Sequence, residues 1–166
     1  LIIQFEGDNR FELDKKAEEL AKELKDAGLG YAFSQLQDTE DMQRVWELRK
    51  AGLGLLMGLG KESRSPAFCE DTAVRVKDLP AYVKDIQAIL DKHDTHCVFY
   101  AHASVGELHF RPMIDTTTIE GVTKMKQMAQ EFAETVRRYR GALSGEHGDG
   151  RARAPFIEQV LGAEMM

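Results

Sequence analysis

The chain has 166 residues, of which 43% are hydrophobic and 30% charged, and its formal net charge is −6. This length suits one domain with a substantial core, and the composition is typical of globular proteins. The negative charge argues against nucleic acid or an anionic membrane surface as a partner. No apolar run reaches the roughly 18 residues of a transmembrane helix. Cys69 and Cys97 are too few for a disulfide framework and are expected to be reduced thiols of a cytoplasmic protein.

The first half of the chain alternates two kinds of apolar pattern. Short stretches that are apolar or alternate apolar and polar residues predict strands, and stretches with apolar residues at helical spacing predict helices. In chain order, the predicted strand, helix, strand and helix are residues 1–5, 12–27, 31–36 and 40–50. Gly28 is expected to end the first helix, and Asp38 or Thr39 to cap the second. Residues 51–60 leave two interpretations open: a frayed helix end with a flexible loop, or an apolar wall that admits a ligand.

The second half follows a polar linker predicted at residues 61–66. In chain order, a strand, a helix, two strands, a long helix and a short helix are predicted at residues 67–76, 78–90, 97–101, 108–114, 117–140 and 151–161. Because the two middle strands follow one another almost directly, the order of elements predicts an α+β fold with helices on a mostly antiparallel sheet. A doubly wound parallel sheet is the alternative, but the first predicted strand lacks the glycine-rich turn of that fold.

A loop of unusual composition lies between the two last predicted helices, at residues 144–151. Its sequence, Ser-Gly-Glu-His-Gly-Asp-Gly-Arg, suits neither a helix nor a strand. Gly145 and Gly148 free the backbone for close approach by a ligand. Glu146 and His147 can each transfer a proton or bind a metal. The alternative is a tight glycine-rich turn whose polar side chains face water.

A second polar block lies at residues 101–112 and contains His102 and His109. Their spacing does not fit one face of a helix, but it fits two strands joined by a turn at residues 104–106, with both imidazoles at one end. Together with Glu146 they would form a two-histidine, one-carboxylate set that leaves positions open for a substrate oxygen, as in catalytic metal sites. Histidines hydrogen-bonded in the core or at the surface are the alternative.

These two blocks, in this order, resemble the C-terminal domain of FAD-linked oxidases, a family that includes D-lactate dehydrogenases, the FAD subunit of glycolate oxidase and D-2-hydroxyglutarate dehydrogenase. Two further matching segments are Leu-Arg-Lys-Ala-Gly-Leu-Gly at residues 48–54 and Phe-Cys-Glu-Asp-Thr-Ala-Val at residues 68–74. The resemblance covers nearly the whole chain and is greatest to long bacterial members that also carry an iron–sulfur module. It implies two ferredoxin-like halves that share a sheet.

The resemblance also implies an activity: FAD-dependent oxidation of a D-2-hydroxy acid such as D-lactate or glycolate. It implies that His102, His109 and Glu146 bind a divalent metal, Zn²⁺ or Mn²⁺. His147 would remove the proton of the substrate hydroxyl, and Arg49 would hold the substrate carboxylate with two parallel hydrogen bonds. From the residues alone, His147 could instead orient a neighbouring carboxylate, and Arg49 could form a surface ion pair.

FAD is expected to be bound mainly by an N-terminal domain that this fragment lacks, so the isolated fragment is expected to be inactive. The residues expected to line the cofactor here are Gly145, Glu146, His147 and Gly148. The other expected partners are that FAD-binding domain and an iron–sulfur module. The expected location is the cytoplasm, with the full-length enzyme at most peripheral to the inner membrane.

Two positions depart from the family pattern. Glu107 stands where metal-dependent relatives often carry asparagine or cysteine, and it could add a negative charge beside the site or face solvent. Cys69 stands where the 2-hydroxyglutarate enzymes carry a substrate-binding lysine. Both argue against assuming 2-hydroxyglutarate as the substrate. Arg111 is a second candidate for an anion clamp. Two other functions stay open on the residues alone: a metal-dependent hydrolase or lyase, and a ferredoxin-like binding module without catalysis.

Overall fold

The computed structural model describes residues 1–57 and 66–165, with backbone only at residues 53–57. The chain divides into two compact units, Leu1–Leu53 and Gly54–Met166. The end of the glycine-rich stretch at residues 51–60 and nearly all of the predicted linker at 61–66 lie outside the described residues. Within the described part of the chain, no helix combines the length and apolar character needed to cross a bilayer.

The first unit contains the two predicted helices, α1 at Arg10–Asp26 and α2 at Thr39–Met57. Side chains cap both helices: the Asn9 side chain accepts a hydrogen bond from Glu12 N, and Asp38 Oδ1 accepts one from Glu40 N at 2.8 Å. Helix α2 continues to Met57 instead of ending at residue 50. The local cap and spacing signals therefore located both helices, but they did not locate the end of α2.

The predicted strands at residues 1–5 and 31–36 are wrong. Neither segment is part of a strand, and within the described residues no sheet contains them. An apolar or alternating pattern reports only which side chains could face a core, whereas a strand also needs a neighbour to complete its backbone hydrogen bonds. The ferredoxin-like half implied for this part of the chain is accordingly not seen in the described residues.

The second unit contains a three-stranded antiparallel sheet, which confirms the α+β prediction. Its strands are β1 at Asp71–Ala73, β2 at Cys97–His102 and β3 at Glu107–Pro112, in the spatial order β1-β3-β2. Both pairings are antiparallel. β1 is much shorter than the predicted strand at residues 67–76: it ends at Ala73, and a 3₁₀ helix follows at Val76–Asp78.

Four α-helices complete the described part of this unit: α3 at Leu79–Lys92, α4 at Ile119–Arg138, α5 at Gly150–Arg153 and α6 at Ile157–Leu161. Thr118 caps α4, because its side chain accepts a hydrogen bond from Gly121 N. The helix predicted at residues 151–161 is divided by the 3₁₀ turn Ala154–Phe156. Pro155 lies in that turn, and a proline cannot donate the backbone hydrogen bond that a continuous helix needs.

The two faces of the sheet differ because successive side chains of a strand point to opposite sides. Leu108 and Phe110 are buried on the side of the helices, where the Phe110 ring lies 4.9 Å from that of Phe132 on α4. Glu107, His109 and Arg111 alternate with these core residues and therefore point to the other side. The strand register therefore concentrates titratable side chains on the face opposite the core.

The two cysteine thiols are shielded by the fold. Burial raises the pKa of Cys69 to about 12, and burial likewise raises the pKa of Cys97 to about 12. At pH 8 we therefore expect the Cys69 thiol, which is 2% exposed, to react with iodoacetamide roughly a thousandfold more slowly than in the unfolded chain, since only the thiolate is nucleophilic. Peptide-resolved mass spectrometry in buffer and in urea measures both rates. Equal rates for Cys69 in the two conditions would contradict this expectation.

Candidate functional site

Four side chains that could bind a metal converge on the polar face of the sheet. They are His102, Glu107, His109 and Glu146, and one ligand atom from each lies within 4.8 Å of the others. His109 Nε2 is 3.4 Å from Glu146 Oε1 and 3.7 Å from Glu107 Oε1. The structure therefore brings together the three ligands proposed from the sequence and adds Glu107, which faces the cluster and not the solvent.

Antiparallel register explains why these residues meet. Tyr100 and Asp71 flank His109 on the neighbouring strands, and His102 lies opposite Glu107. Residues directly opposite each other share a face of the sheet. The Tyr100 ring also stacks on the His109 ring, with centroids 4.2 Å apart and planes only 9° from parallel. The hairpin thus holds the His109 ring in place from the side of β2.

The most unusual feature of the cluster is a set of buried polar atoms without partners. His109 is 0% exposed, and neither of its ring nitrogens has a hydrogen-bond partner in the described residues. Glu107 Oε1 is buried and unpartnered in the same way. Each such atom costs about 1–3 kcal/mol of unfolding free energy if nothing satisfies it. A bound cation would satisfy His109 Nε2 and Glu107 Oε1 at once.

Burial shifts the pKa values of both groups. It lowers the pKa of His109, which favours the neutral imidazole that binds metals. It raises the pKa of Glu107, and the neighbouring charge of Glu146 raises it further. A cation between Glu107 and Glu146 would lower the pKa of Glu107 again, because each carboxylate would then be attracted to the cation.

Asp71 anchors the loop that carries Glu146 and His147. Its Oδ2 accepts hydrogen bonds from the Ser144 hydroxyl at 2.7 Å, Glu146 N at 3.0 Å and His147 N at 2.8 Å. Its Oδ1 pairs with the guanidinium of Arg153, itself only 4% exposed. One buried carboxylate therefore determines the position of the whole loop.

The charge of Asp71 is stable under ordinary conditions. Burial alone would raise the pKa of Asp71, but the hydrogen bonds from the His147 backbone, the Ser144 hydroxyl and Arg153 outweigh burial and hold it well below its usual range. The sequence did not reveal this role. Residues 70 and 71 are two carboxylates that interrupt the β-prone stretch of the family-matching segment at residues 68–74. That interruption was the available signal, since a carboxylate on a buried strand needs specific partners.

His147 lies at the edge of the cluster between two carboxylates. Its Nδ1 is 3.0 Å from Glu70 Oε1, and its Nε2 is 3.1 Å from Glu146 Oε1. Glu70 also pairs with Arg111, whose Nη2 lies 2.7 Å from Glu70 Oε2. The charge of Arg111 is therefore matched by Glu70, which weakens its case as an anion clamp.

The two glycines proposed to line a cofactor have different structural roles. A Cβ atom at Gly145 would lie 2.6 Å from Glu107 Oε1, so a side chain there would displace the buried carboxylate. Gly148 has a φ of +79°, a backbone conformation that other residues rarely adopt, and a Cβ there would meet nothing within 4 Å. Gly145 therefore allows close packing within the site, and Gly148 leaves open space beside His147.

Arg49, the proposed carboxylate clamp, belongs to the first unit. It lies on the exposed part of α2, with its guanidinium carbon 6.0 Å from the centre of the Trp46 ring. Arginine can hold a carboxylate through two parallel hydrogen bonds. Its role in substrate binding stays a prediction.

Comparison with known proteins identifies the class. The family model described as FAD linked oxidases, C-terminal domain, matches residues 1–166. The chain belongs to this family, which confirms the resemblance seen in the two motif blocks. The match includes every residue of the histidine–carboxylate cluster and of the loop that Asp71 anchors.

Several curated proteins are similar to the chain. A D-2-hydroxyglutarate dehydrogenase of Haemophilus influenzae is 32% identical over 99% of this chain and 16% of its own length. The glycolate oxidase subunit GlcD of Bacillus subtilis is 28% identical over 98% of this chain and 34% of its own length. The mitochondrial D-lactate dehydrogenase [cytochrome] of Arabidopsis thaliana is 21% identical over all of this chain and 29% of its own length. The chain therefore covers between about a sixth and about a third of the length of these relatives.

Proposed function

We propose that this chain is the substrate-binding C-terminal domain of an FAD-dependent oxidoreductase that oxidises a D-2-hydroxy acid such as D-lactate or glycolate. The observation that carries the proposal is the buried His109 at the centre of a histidine–carboxylate cluster, whose ring nitrogens have no hydrogen-bond partner among the described residues. The names of the relatives are those of dehydrogenases and an oxidase subunit for 2-hydroxy acids. These names favour the proposed function over a hydrolase or a non-catalytic module.

The cluster fits a divalent cation in donor type and in charge. His102, His109 and Glu146 supply the nitrogen and oxygen ligands that suit Zn²⁺ or Mn²⁺. Two other carboxylates of the site have arginine partners: Asp71 pairs with Arg153, and Glu70 with Arg111. The carboxylates of the cluster face histidines instead, so a divalent ion would balance their negative charge.

His147 is placed to move the substrate proton. When bound, the cation would acidify the substrate hydroxyl, and the flavin would accept the two electrons of the oxidation. Glu70 can accept a hydrogen bond from the Nδ1–H of His147, which leaves a lone pair on Nε2, the nitrogen that faces the cluster. His147 Nε2 would therefore take the hydroxyl proton as a general base.

The loop would supply this chain's contacts with the flavin. Gly148 leaves open space beside His147. Gly145, Glu146 and His147 would line this edge of the cofactor. The FAD-binding domain of the full-length protein would hold most of the cofactor.

The substrate proposal rests on three further residues and departs from the names of some relatives. Arg49 would hold the single carboxylate of lactate or glycolate. Cys69 is 2% exposed and carries no positive charge, and Glu107 adds a negative charge to the site. A second substrate carboxylate would therefore find no cation at position 69 and would be repelled by Glu107, which disfavours 2-hydroxyglutarate.

Membership of the family also suggests which other modules accompany this domain and where the full-length protein is located. The long relatives leave room for further modules, and we infer an FAD-binding domain and an iron–sulfur module as partners within the full-length protein. Cys69 and Cys97 are free thiols, as expected in a reducing compartment. We therefore infer a cytoplasmic location, at most peripheral to the inner membrane.

Anaerobic mixing of the full-length protein with hydroxy acids tests this function. We expect D-lactate or glycolate to bleach the flavin absorption band, with D-2-hydroxyglutarate reducing the flavin at least about tenfold more slowly, because one uncompensated charge costs more than about 1.4 kcal/mol in a partly buried site. L-lactate serves as the stereochemical control. If dithionite bleaches the flavin but no D-2-hydroxy acid does so, the proposed function is wrong.

A further inference from the structure

Glu107 is the one member of the four-residue cluster for which the sequence suggested no ligand role. Glu107 is 7% exposed, and its Oε1 has no hydrogen-bond partner among the described residues. It projects from β3 on the same face as His109 and lies opposite His102 in the strand register. Gly145 packs directly against its carboxylate, so the loop closes over it.

We propose that Glu107 is a fourth protein ligand of the cation, beside His102, His109 and Glu146. The inference rests on the proposed function, because it concerns the same cluster. It goes beyond that function by giving the site two carboxylates instead of one.

The spacing of the ligand atoms supports this assignment. Two neighbouring ligands about 2.1 Å from an ion lie about 3.0 Å apart in octahedral and about 3.4 Å apart in tetrahedral geometry. His109 Nε2 lies 3.4 Å from Glu146 Oε1 and 3.7 Å from Glu107 Oε1. The two carboxylates therefore stand at nearly the same distance from the central imidazole, and Glu107 fits the ligand shell as well as Glu146 does.

The charge and burial of Glu107 point the same way. A buried carboxylate is stable only when it is paired, hydrogen-bonded or bound to a metal. Its Oε1 reaches His109 Nε2 only at 3.7 Å, which is too long for a hydrogen bond. A cation between these two atoms would give each of them its missing partner.

Four protein ligands would also restrict which ion supports catalysis. They fill a tetrahedral shell, so a substrate oxygen could bind only to an ion that accepts five or six ligands. Mn²⁺ favours octahedral surroundings and accepts imidazole and carboxylate ligands. The assignment therefore predicts a site that binds Mn²⁺ and still has two positions for a chelating hydroxy acid.

Titration of the metal-depleted full-length protein with Mn²⁺ tests the inference, with free Mn²⁺ measured by its electron paramagnetic resonance signal. Glu107→Gln keeps the size of the side chain and removes its charge. Loss of a residue that only hydrogen-bonds to a metal ligand typically lowers metal affinity about 10–100-fold. Because Glu107 would be a ligand itself, we expect Glu107→Gln to weaken Mn²⁺ binding by at least about that factor. Glu107→Asp should recover part of the affinity. The control is Glu120→Gln, which removes the same charge from an exposed position on α4 and should leave the affinity unchanged.

The outcomes separate this inference from the proposed function. If the protein binds one Mn²⁺ and Glu107→Gln binds it equally well, Glu107 is not a ligand, while the set of His102, His109 and Glu146 stands. If the unsubstituted protein binds no Mn²⁺, the assignment of the fourth ligand is wrong, and flavin reduction by a D-2-hydroxy acid decides separately on the proposed function. Circular dichroism of each variant identifies loss of fold. If Glu107→Gln does not fold, Glu107→Asp decides: a reduced affinity in a folded Glu107→Asp variant would support direct ligation, and full affinity would overturn it.

Discussion

Flavin reduction by a D-2-hydroxy acid should become about 10²–10⁴-fold slower when His147 is replaced by asparagine in the full-length protein, which is the usual contribution of a general base. The His147 imidazole is 42% exposed and contributes little core packing. Its backbone N–H, not its side chain, makes the hydrogen bond to Asp71, so the loop should keep its position in the variant. The fold and substrate binding should therefore survive, since the cation and Arg49 would still hold the carboxylate.

Stopped-flow absorbance separates these effects, because the limiting rate reports the chemical step and its concentration dependence reports binding. The loss should be smallest at high pH, where the substrate hydroxyl needs less help to ionise. His96→Asn is the matched control, since His96 is an exposed histidine outside the cluster. An unchanged limiting rate in His147→Asn would show that the hydroxyl loses its proton by another route.

Substituting Arg153 by methionine should destabilise the second unit by about 3–5 kcal/mol, the cost of breaking a buried ion pair on one side. Arg153 is 4% exposed, pairs with Asp71 and donates to the Leu143 carbonyl at 2.9 Å. Without it, a buried carboxylate and a carbonyl lose their donors. Arg138→Met is the matched control: Arg138 pairs with Asp85, but its side chain is 63% exposed, so its loss should cost at most about 1 kcal/mol.

Hydrogen exchange of peptides from the three-stranded sheet measures both variants within the full-length protein. The pKa of Asp71 lies below its unfolded value, so the pair stabilises the fold above the ordinary aspartate pKa of about 3.9 and loses its effect as the pH falls below it. The difference between Arg153→Met and the unsubstituted protein should therefore shrink in acid. Equal costs for the two arginine variants at neutral pH would contradict the role given to Arg153.

Local signals accounted for most of the helices. The Thr118 cap, the apolar spacing of α4 and the turn at Gly28 all depend on neighbours a few residues away, and these are visible in a sequence. Strand pairing depends on distant residues. That is why the strand predictions fail at residues 1–5 and 31–36, whereas the hairpin of β2 and β3, whose strands are close in sequence, was predicted with both histidines on one side.

The residues of the site likewise fall into those that local patterns indicate and those that only long-range contacts define. Residue types and family motifs are enough to point to His102, His109 and Glu146. Asp71 belongs to a matching segment, but nothing there indicates its role, because the backbone it positions at His147 lies 76 residues further along the chain. Its ion pair with Arg153 spans 82 residues. No local pattern can report contacts of that range; they become visible only when the sheet and the loop are placed together.

The alternation along β3 has a consequence for how this domain can change over time. Leu108 and Phe110 determine the packing of the helices, whereas Glu107 and Arg111 point away from that core. Substitutions at positions 107 and 111 therefore leave the packing of the helices intact, and their cost falls on the site: on the cation for Glu107 and on the Glu70 ion pair for Arg111. Laboratory evolution toward a new substrate would have to exchange Arg111 together with Glu70, because either one alone would leave a buried charge without its partner.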